Sequence, residues 1–213
     1  MISAIILAAG ESSRMQSPKP LLKFGDDTVL SMAIRNCLHN PIGEIIVVLG
    51  AHADKVGALQ TPEVKFVINE QWKKGRTGSL QAGLRLISAK SDAFVLYPVD
   101  HALTTAHDLH LLINAFKESK GGKKIFIPTH GGKRGHPVIF DAALAQEFLM
   151  MRPDQPASEA VHAHDGEVKE VKVDNPDIYR DIDTRHDYDA AYTLFKKRLN
   201  QSKMTEKGKI ITP

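Results

Sequence analysis

The chain contains a single cysteine, Cys37, among 213 residues, so no internal disulfide can form. Nothing in its cysteine usage points to an oxidising compartment. Cys37 falls in a stretch with helical spacing and reads as a small buried hydrophobe. Aromatic residues make up only 6%, with one tryptophan, and the formal charge is a mild +3. No Lys/Arg tract is interleaved with aromatics, which argues against a nucleic-acid face while leaving room for anionic substrates. No apolar run approaches the roughly 20 residues needed to span a bilayer. The segment from Met1 to Ala9 has neither a basic leader nor a cleavage site, so the expectation is a soluble, cytoplasmic protein with no membrane partner. Neither the P-loop pattern G-x-x-x-x-G-K-[ST] nor the dinucleotide fingerprint G-x-G-x-x-G occurs, which weakens two common nucleotide-binding readings. There is no internal repeat.

What is present is an ordinary globular composition, 42% hydrophobic and 25% charged. The length suits one sizeable core. Apolar, β-rich runs at 2–7, 44–49, 64–68, 93–97 and 125–128 predict strands. Helix-compatible spacing at 28–39, 53–59, 79–89 and 104–119 fills the gaps, several of these opened by Ser or Thr. Runs such as Ile45-Ile46-Val47-Val48-Leu49 suit strands buried on both faces of a parallel sheet. The second half loosens into strands at 136–140 and 167–173 and helices at 141–151 and 184–199, which predicts antiparallel or mixed additions. The expected fold is therefore α/β: a single doubly wound three-layer domain over 1–199 with a mainly parallel, partly mixed sheet. Residues 200–213 are polar and aperiodic and predict a mobile tail. Gly121-Gly122-Lys123-Lys124 and Gly131-Gly132-Lys133-Arg134 predict exposed turns.

Chemistry concentrates in three places. Leu7-Ala8-Ala9-Gly10-Glu11-Ser12-Ser13-Arg14-Met15 begins where the first strand ends, which is where open sheets bind ligands. Gly10 permits close approach to the backbone, and the loop amides, with Arg14 and Lys19, can neutralise a polyphosphate. For each basic residue alone, a solvated surface charge is the simpler reading. The strand at 93–97 delivers Asp100 to the same rim, where a hard carboxylate suits Mg²⁺, although an acid there also serves as a cap for the helix near Thr104. Asp181 and Asp183 alternate with Ile182 along an extended stretch and so share a side; they complete a metal site, or Asp183 and Thr184 cap the last helix.

Taken together, L-A-A-G-x-S-x-R-M followed by Pro18-Lys19 resembles the signature of the nucleotidyltransferases that include the molybdenum cofactor cytidylyltransferases. Asp181-Ile182-Asp183-Thr184 is similar to the Asp-Ile-Asp-Thr element near the C-terminus of that family, and Gly75-Arg76-Thr77-Gly78-Ser79 to its nucleotide-side loop. The resemblance implies a nucleotide-diphospho-sugar transferase-like fold. It places Leu7, Ala8, Ala9 and Gly10 against base and ribose, Ser12 and Ser13 in the nucleotide loop, Arg14 and Lys19 on the phosphates and Ser79 on ribose or base. It implies Mg²⁺ held by Asp100, Asp181 and Asp183, with Lys19, Arg14 and Asp100 as the catalytic set. The implied reaction is transfer of a nucleoside monophosphate, CMP from CTP in preference to GMP from GTP, to a small phosphorylated acceptor, molybdopterin first, with a molybdoenzyme as the receiving partner.

Two departures loosen the acceptor. The family's Asp-x-Pro is Asp100-His101-Ala102 here, and its Gly-Asp-x-Gly-Ala-Arg-like element is Arg152-Pro153-Asp154-Gln155-Pro156-Ala157-Ser158. A lone His101 beside such a site is more simply a supporting or surface group, and Gly135-His136-Pro137 a turn into a strand. Alternatives are a sugar- or alditol-phosphate nucleotidyltransferase and a nucleotide- or cofactor-binding module without turnover. A glycosyltransferase is disfavoured by the Arg14 and Lys19 spacing.

Overall fold

The computed structural model describes residues 1–56, 61–119 and 121–209, with side chains described through 201. Strand β1 (Ile2–Ala8) is buried along its whole length and lies between β4 (Glu44–Leu49) and β6 (Ala93–Pro98), parallel to both. Beyond β4, β5 (Val64–Ile68) continues the parallel set. Beyond β6 the direction reverses: β9 (Val138–Asp141) is antiparallel to both β6 and β7 (Ile125–His130). Strand β10 (Val168–Lys172) closes that edge parallel to β7. The order β10-β7-β9-β6-β1-β4-β5 is the mainly parallel, partly mixed sheet that the sequence predicts.

Two apolar layers cover this sheet, and the alternation along β1 shows how. Ala4, Ile6 and Ala8 pack toward α1 (Val29–Leu38) and α4 (Ala106–Glu118), while Ile5, Leu7 and Ala9 pack toward α3 (Arg76–Leu84). A strand covered on both faces needs apolar residues at every position, which is why its sequence reads as an unbroken run. Each fully buried Ile, Leu or Phe contributes about 1.5–3 kcal/mol relative to exposure. Helix α3 lies close on the sheet because Gly83 leaves room: a Cβ there would stand 2.5 Å from Ile5 Cγ2. Cys37 is fully buried, and burial pushes its thiol up to about 12, as an inert core residue requires.

Several element boundaries differ from the sequence-based expectation. Helix α3 begins three residues before Ser79, because Gly75 at φ 140° turns the chain directly into Arg76, and it ends at Leu84 rather than at residue 89. Ser79 is thus inside the helix and does not cap it. The cap of α4 is Thr105, whose side chain accepts from Asp108 N in a reciprocal box, so Asp100 does not cap this helix either. Helix α2 covers Ala53–Val56, and residues 57–59 of the expected helix lie outside the described residues. Helix α7 runs from Arg185 to Lys209, well past the expected end at 199, because Gln201, Lys203, Met204, Glu206 and Lys207 are all good helix formers despite their polarity.

The second half also holds α5 (Ala145–Met150), the unforeseen α6 (Ser158–Ala163) and a short strand β8 (Lys133–Arg134) paired back on β7 through the Gly131-Gly132 turn. A β2–β3 hairpin (Lys23–Phe24, Asp27–Thr28) was equally invisible, being only four residues of strand. Among the described residues no helix is long and apolar enough to cross a membrane.

Candidate active site

The carboxyl ends of β1 and β6 open onto a cavity of about 300 Å³ lined by Leu7 to Ser12, Lys19, Trp72, Arg76, Ser79 and Asp100. The loop after β1 is built as a tight cradle. Ser12 takes a left-handed conformation at φ 57°, its carbonyl accepts from Met15 N and Gln16 N, and its hydroxyl accepts from Lys19 N at 3.0 Å. That last bond ties the signature's two halves together across seven residues. A Cβ on Gly10 would meet nothing within 4 Å, so the space before it is open to a ligand. Of the predicted nucleotide set, Leu7, Ala8, Ala9, Gly10, Ser12, Lys19 and Ser79 line this cavity, and Ser13 and Arg14 form the adjoining turn. Ser79 is buried, and its hydroxyl accepts from Asn69 Nδ2 at 3.0 Å.

Lys19 is the electrostatic centre. Its Nζ donates to Asp183 Oδ1 at 2.5 Å and to Asp100 Oδ2 at 3.4 Å, while Arg14 Nη2 donates to Asp183 Oδ2 at 2.7 Å. The Lys19 ammonium, aided by Arg14, holds the Asp183 carboxyl below the usual carboxylate range despite partial burial. Asp183 does not cap α7. Thr184 does that by accepting from Asp187 N at 3.2 Å, and Thr184 N donates in turn to Asp187 Oδ2 at 2.7 Å, leaving the Asp183 carboxylate for the site. Asp181 and Asp183 flank buried Ile182 as alternation requires, yet only Asp183 reaches Lys19, and Asp181 lines a second cavity.

Among the described residues, no three His, Cys, Asp or Glu side chains converge as a preformed metal cage. The donor set still fits a divalent cation of the Mg²⁺ type, which takes one or two carboxylates and completes its shell with water and phosphate oxygens. Asp100 Oδ1 is buried with no hydrogen-bond partner, a hard anionic oxygen waiting for a cation.

The second cavity, of about 700 Å³, adjoins the first and shares Leu7, Arg76 and Pro98 with it. Its walls are mixed: Leu80, Leu96, Ile127, Val138, Phe140 and Val161 form an apolar stretch, and polar groups such as Arg76, His101, His136, Gln155 and Asp181 line the rest. One side is the departed segment at 152–158, stapled to the start of α3. Gly78 N donates to Pro153 O at 3.2 Å, Thr77 Oγ1 donates to Gln155 O at 2.5 Å, and a Cβ on Gly75 would sit 2.1 Å from Pro153 O.

His101 is buried and not a surface group, and it lines this cavity together with His136. His101 and His136 lie with ring centroids 4.6 Å apart, and the Nδ1 of each is buried without a partner. Burial pushes His136 down to about 3, with His101 and Arg76 acting in the same direction. Burial also lowers His101, against the pull of Asp100 and Asp181. Arg76 was likewise not singled out, although its place after a glycine at a helix start was the available signal.

Comparison with known proteins shows the family and the fold. The family model described as "MobA-like NTP transferase domain" matches residues 4–168. The molybdenum cofactor cytidylyltransferase of Escherichia coli strain K12 is 26% identical over 192 residues, covering 88% of this chain and 93% of that protein. The nicotine blue oxidoreductase of Paenarthrobacter nicotinovorans is 29% identical over 148 residues, 67% of this chain and 72% of that one. Rv0371c of Mycobacterium tuberculosis, solved as a complex with manganese, superposes with a TM-score of 0.75 at 25% identity, covering 89% of this chain and 96% of that one. The fold is that of the nucleotide-diphospho-sugar transferases. A relative named for a redox reaction means that fold alone does not assign the chemistry, which has to come from the site. With a family model matching residues 4–168, more than half of its length, the chain belongs to the MobA-like NTP transferase family, a family of nucleotidyltransferases.

Proposed function

We propose that this protein transfers CMP from CTP to the phosphate of molybdopterin, releasing pyrophosphate, with Mg²⁺ held by Asp100 and Asp183. The observation that carries this reading is Lys19, poised between those two carboxylates at the mouth of an open cradle, beside an unpartnered Asp100 Oδ1. Bound there, Mg²⁺ would supply Lewis-acid stabilisation of charge on the phosphates. The protein's own part is positioning and electrostatics. The Leu7 to Gly10 turn seats the nucleoside, and Arg14 and Lys19 turn from Asp183 toward the phosphate chain. An ionised acceptor phosphate oxygen attacks the α-phosphorus in line. The new oxygen–phosphorus bond forms as the bond to the β-phosphate bridge breaks, and the electron pair departs with pyrophosphate. No general base is needed when the attacking oxygen is already ionised.

The second cavity favours an acceptor with a large, partly planar body. At about 700 Å³ it has the room, and the apolar stretch formed by Leu80, Leu96, Ile127, Val138 and Phe140 would lie against the flat body. A molybdoenzyme that accepts the finished cofactor is the protein partner that this reading entails. The test is pyrophosphate release from each of the four ribonucleoside triphosphates with Mg²⁺, against molybdopterin and a panel of sugar and alditol phosphates. Release with CTP and molybdopterin is expected. Release with a polyol phosphate alone would reassign the acceptor, and triphosphate binding without release under any acceptor would indicate a binding module.

A further inference from the structure

We propose that Arg76, His101 and His136 form the seat of the acceptor's phosphate, so that the attacking group is held by protein side chains and not only by the metal. This rests on the reading of the second cavity as the acceptor's. Among the described residues, Arg76 is the only charged side chain that lines both cavities; Asp100 lines the first alone and Asp181 the second alone. Attack on an α-phosphorus in the first cavity by an oxygen from the second must pass this edge.

Arg76 is also a cation with no hydrogen bond or ion pair to any described residue. The other arginines near the site are engaged: Arg14 with Asp183, and Arg134, in the second cavity, with Glu170 at 2.8 Å. A guanidinium left free at the junction of two anion-handling cavities is a planar fork with no carboxylate to fill it.

The two histidines supply the neutral half of the seat. Their Nδ1 atoms are buried, lack partners and belong to side chains lining the second cavity. An unpartnered buried polar atom costs stability, and two of them within one ring-ring contact make a site that a ligand completes. Imidazole nitrogens donate to a phosphate oxygen or accept from a monoprotonated one according to tautomer. His101 follows Asp100 directly in the chain, so a phosphate on this seat lies beside the carboxylate proposed to hold the metal. The chemical class recognised is a phosphate monoester, whether borne by a planar heterocycle or by a polyol.

The first measurement is calorimetric binding of inorganic phosphate to the full chain loaded with Mg²⁺ and a CTP analogue whose α,β-bridge is methylene. Arg76→Ala is the key variant, since the exposed guanidinium has no partner in the fold to lose. It should weaken phosphate binding by about tenfold or more, the loss of one charge-assisted hydrogen bond. Arg76→Lys should recover part of it, and affinity for the CTP analogue should change less than about threefold. His136→Asn should weaken phosphate in the same direction, while Arg85→Ala, at the far end of α3, should leave every readout unchanged. Phosphate affinity unaltered by Arg76→Ala, or no phosphate binding by the wild type, overturns the inference. With acceptor present, a raised acceptor KM in Arg76→Ala for a heterocyclic or a polyol phosphate identifies which ester the seat serves. Because the phosphate titration needs no turnover, absence of pyrophosphate release in the wild type would count against the proposed reaction and not against the seat.

Discussion

Replacing Asp100 by Asn separates the cost of a prepared metal ligand from its use. The Asp100 side chain is 11% exposed, and its Oδ2 stands 3.4 Å from Lys19 Nζ, a long contact for an ion pair. Its Oδ1 has no partner at all. A buried polar atom left unsatisfied costs about 1–3 kcal/mol, and more when charged. Asn keeps the shape and removes the charge, while Lys19 retains its 2.5 Å bond to Asp183. The metal-free variant should therefore match the wild type within about 1 kcal/mol or exceed it, which is the pattern of a functional residue held at the expense of stability. In the presence of Mg²⁺ and CTP at 100 times Kd, the wild type should gain about 2.7 kcal/mol by mass action, and the variant markedly less. Urea unfolding with and without Mg²⁺ and CTP, alongside pyrophosphate release, measures both effects. A metal-free loss above about 2 kcal/mol in Asp100→Asn, or an unchanged magnesium response, would refute the reasoning.

Lys19→Ala should lower turnover by about 10² to 10³, the usual cost of losing a group that stabilises transition-state charge, and a variant with normal kcat in the pyrophosphate assay would remove Lys19 from the mechanism. His136 is depressed to about 3 in the fold and returns to about 6.5 when unfolded, so the unfolded chain takes the proton first. Its contribution is thus fully present above about pH 6.5 and is lost as pH falls toward 3, by up to about 1.4 kcal/mol per pH unit. Urea unfolding at pH 7 and pH 5 should show a smaller acid-side loss in His136→Asn than in the wild type, and equal losses would contradict the assignment. Gly75→Ala places a Cβ 2.1 Å from Pro153 O at a backbone φ of 140°, and should cost about 1–3 kcal/mol in thermal unfolding. Retention of wild-type stability would show that the staple between α3 and the 152–158 segment is slack.

Much of the architecture was legible because the sheet is covered on both sides. The unbroken apolar runs at β1, β4 and β6 exclude a solvent-facing surface, and the intervening helical periods leave parallel crossovers as the natural connection. Elements set by tertiary contact were not legible. The start of α3 depends on Gly75 meeting Pro153, 78 residues further on, a proximity that no local pattern records. The helix that follows Thr184 continues to Lys209 through residues whose types favour helix, beyond the end that periodicity marked at 199, and residues 210–213 of the expected tail lie outside the described residues.

The same division runs through the site. By itself the sequence determined the family, through the resemblance that the signature loop, the acid after β6 and the Asp-Ile-Asp-Thr element carry. Tertiary structure decided which of those acids work together: Asp183 meets Lys19 and Arg14, while Asp181 turns to the second cavity. It also decided that His101 and His136, 35 positions apart in the chain, meet ring to ring in the second cavity. Spacing along a strand or loop fixes which side a residue faces, but which residues meet across a cavity depends on how the sheet twists and the connections fold over it, and that is a property of the assembled chain.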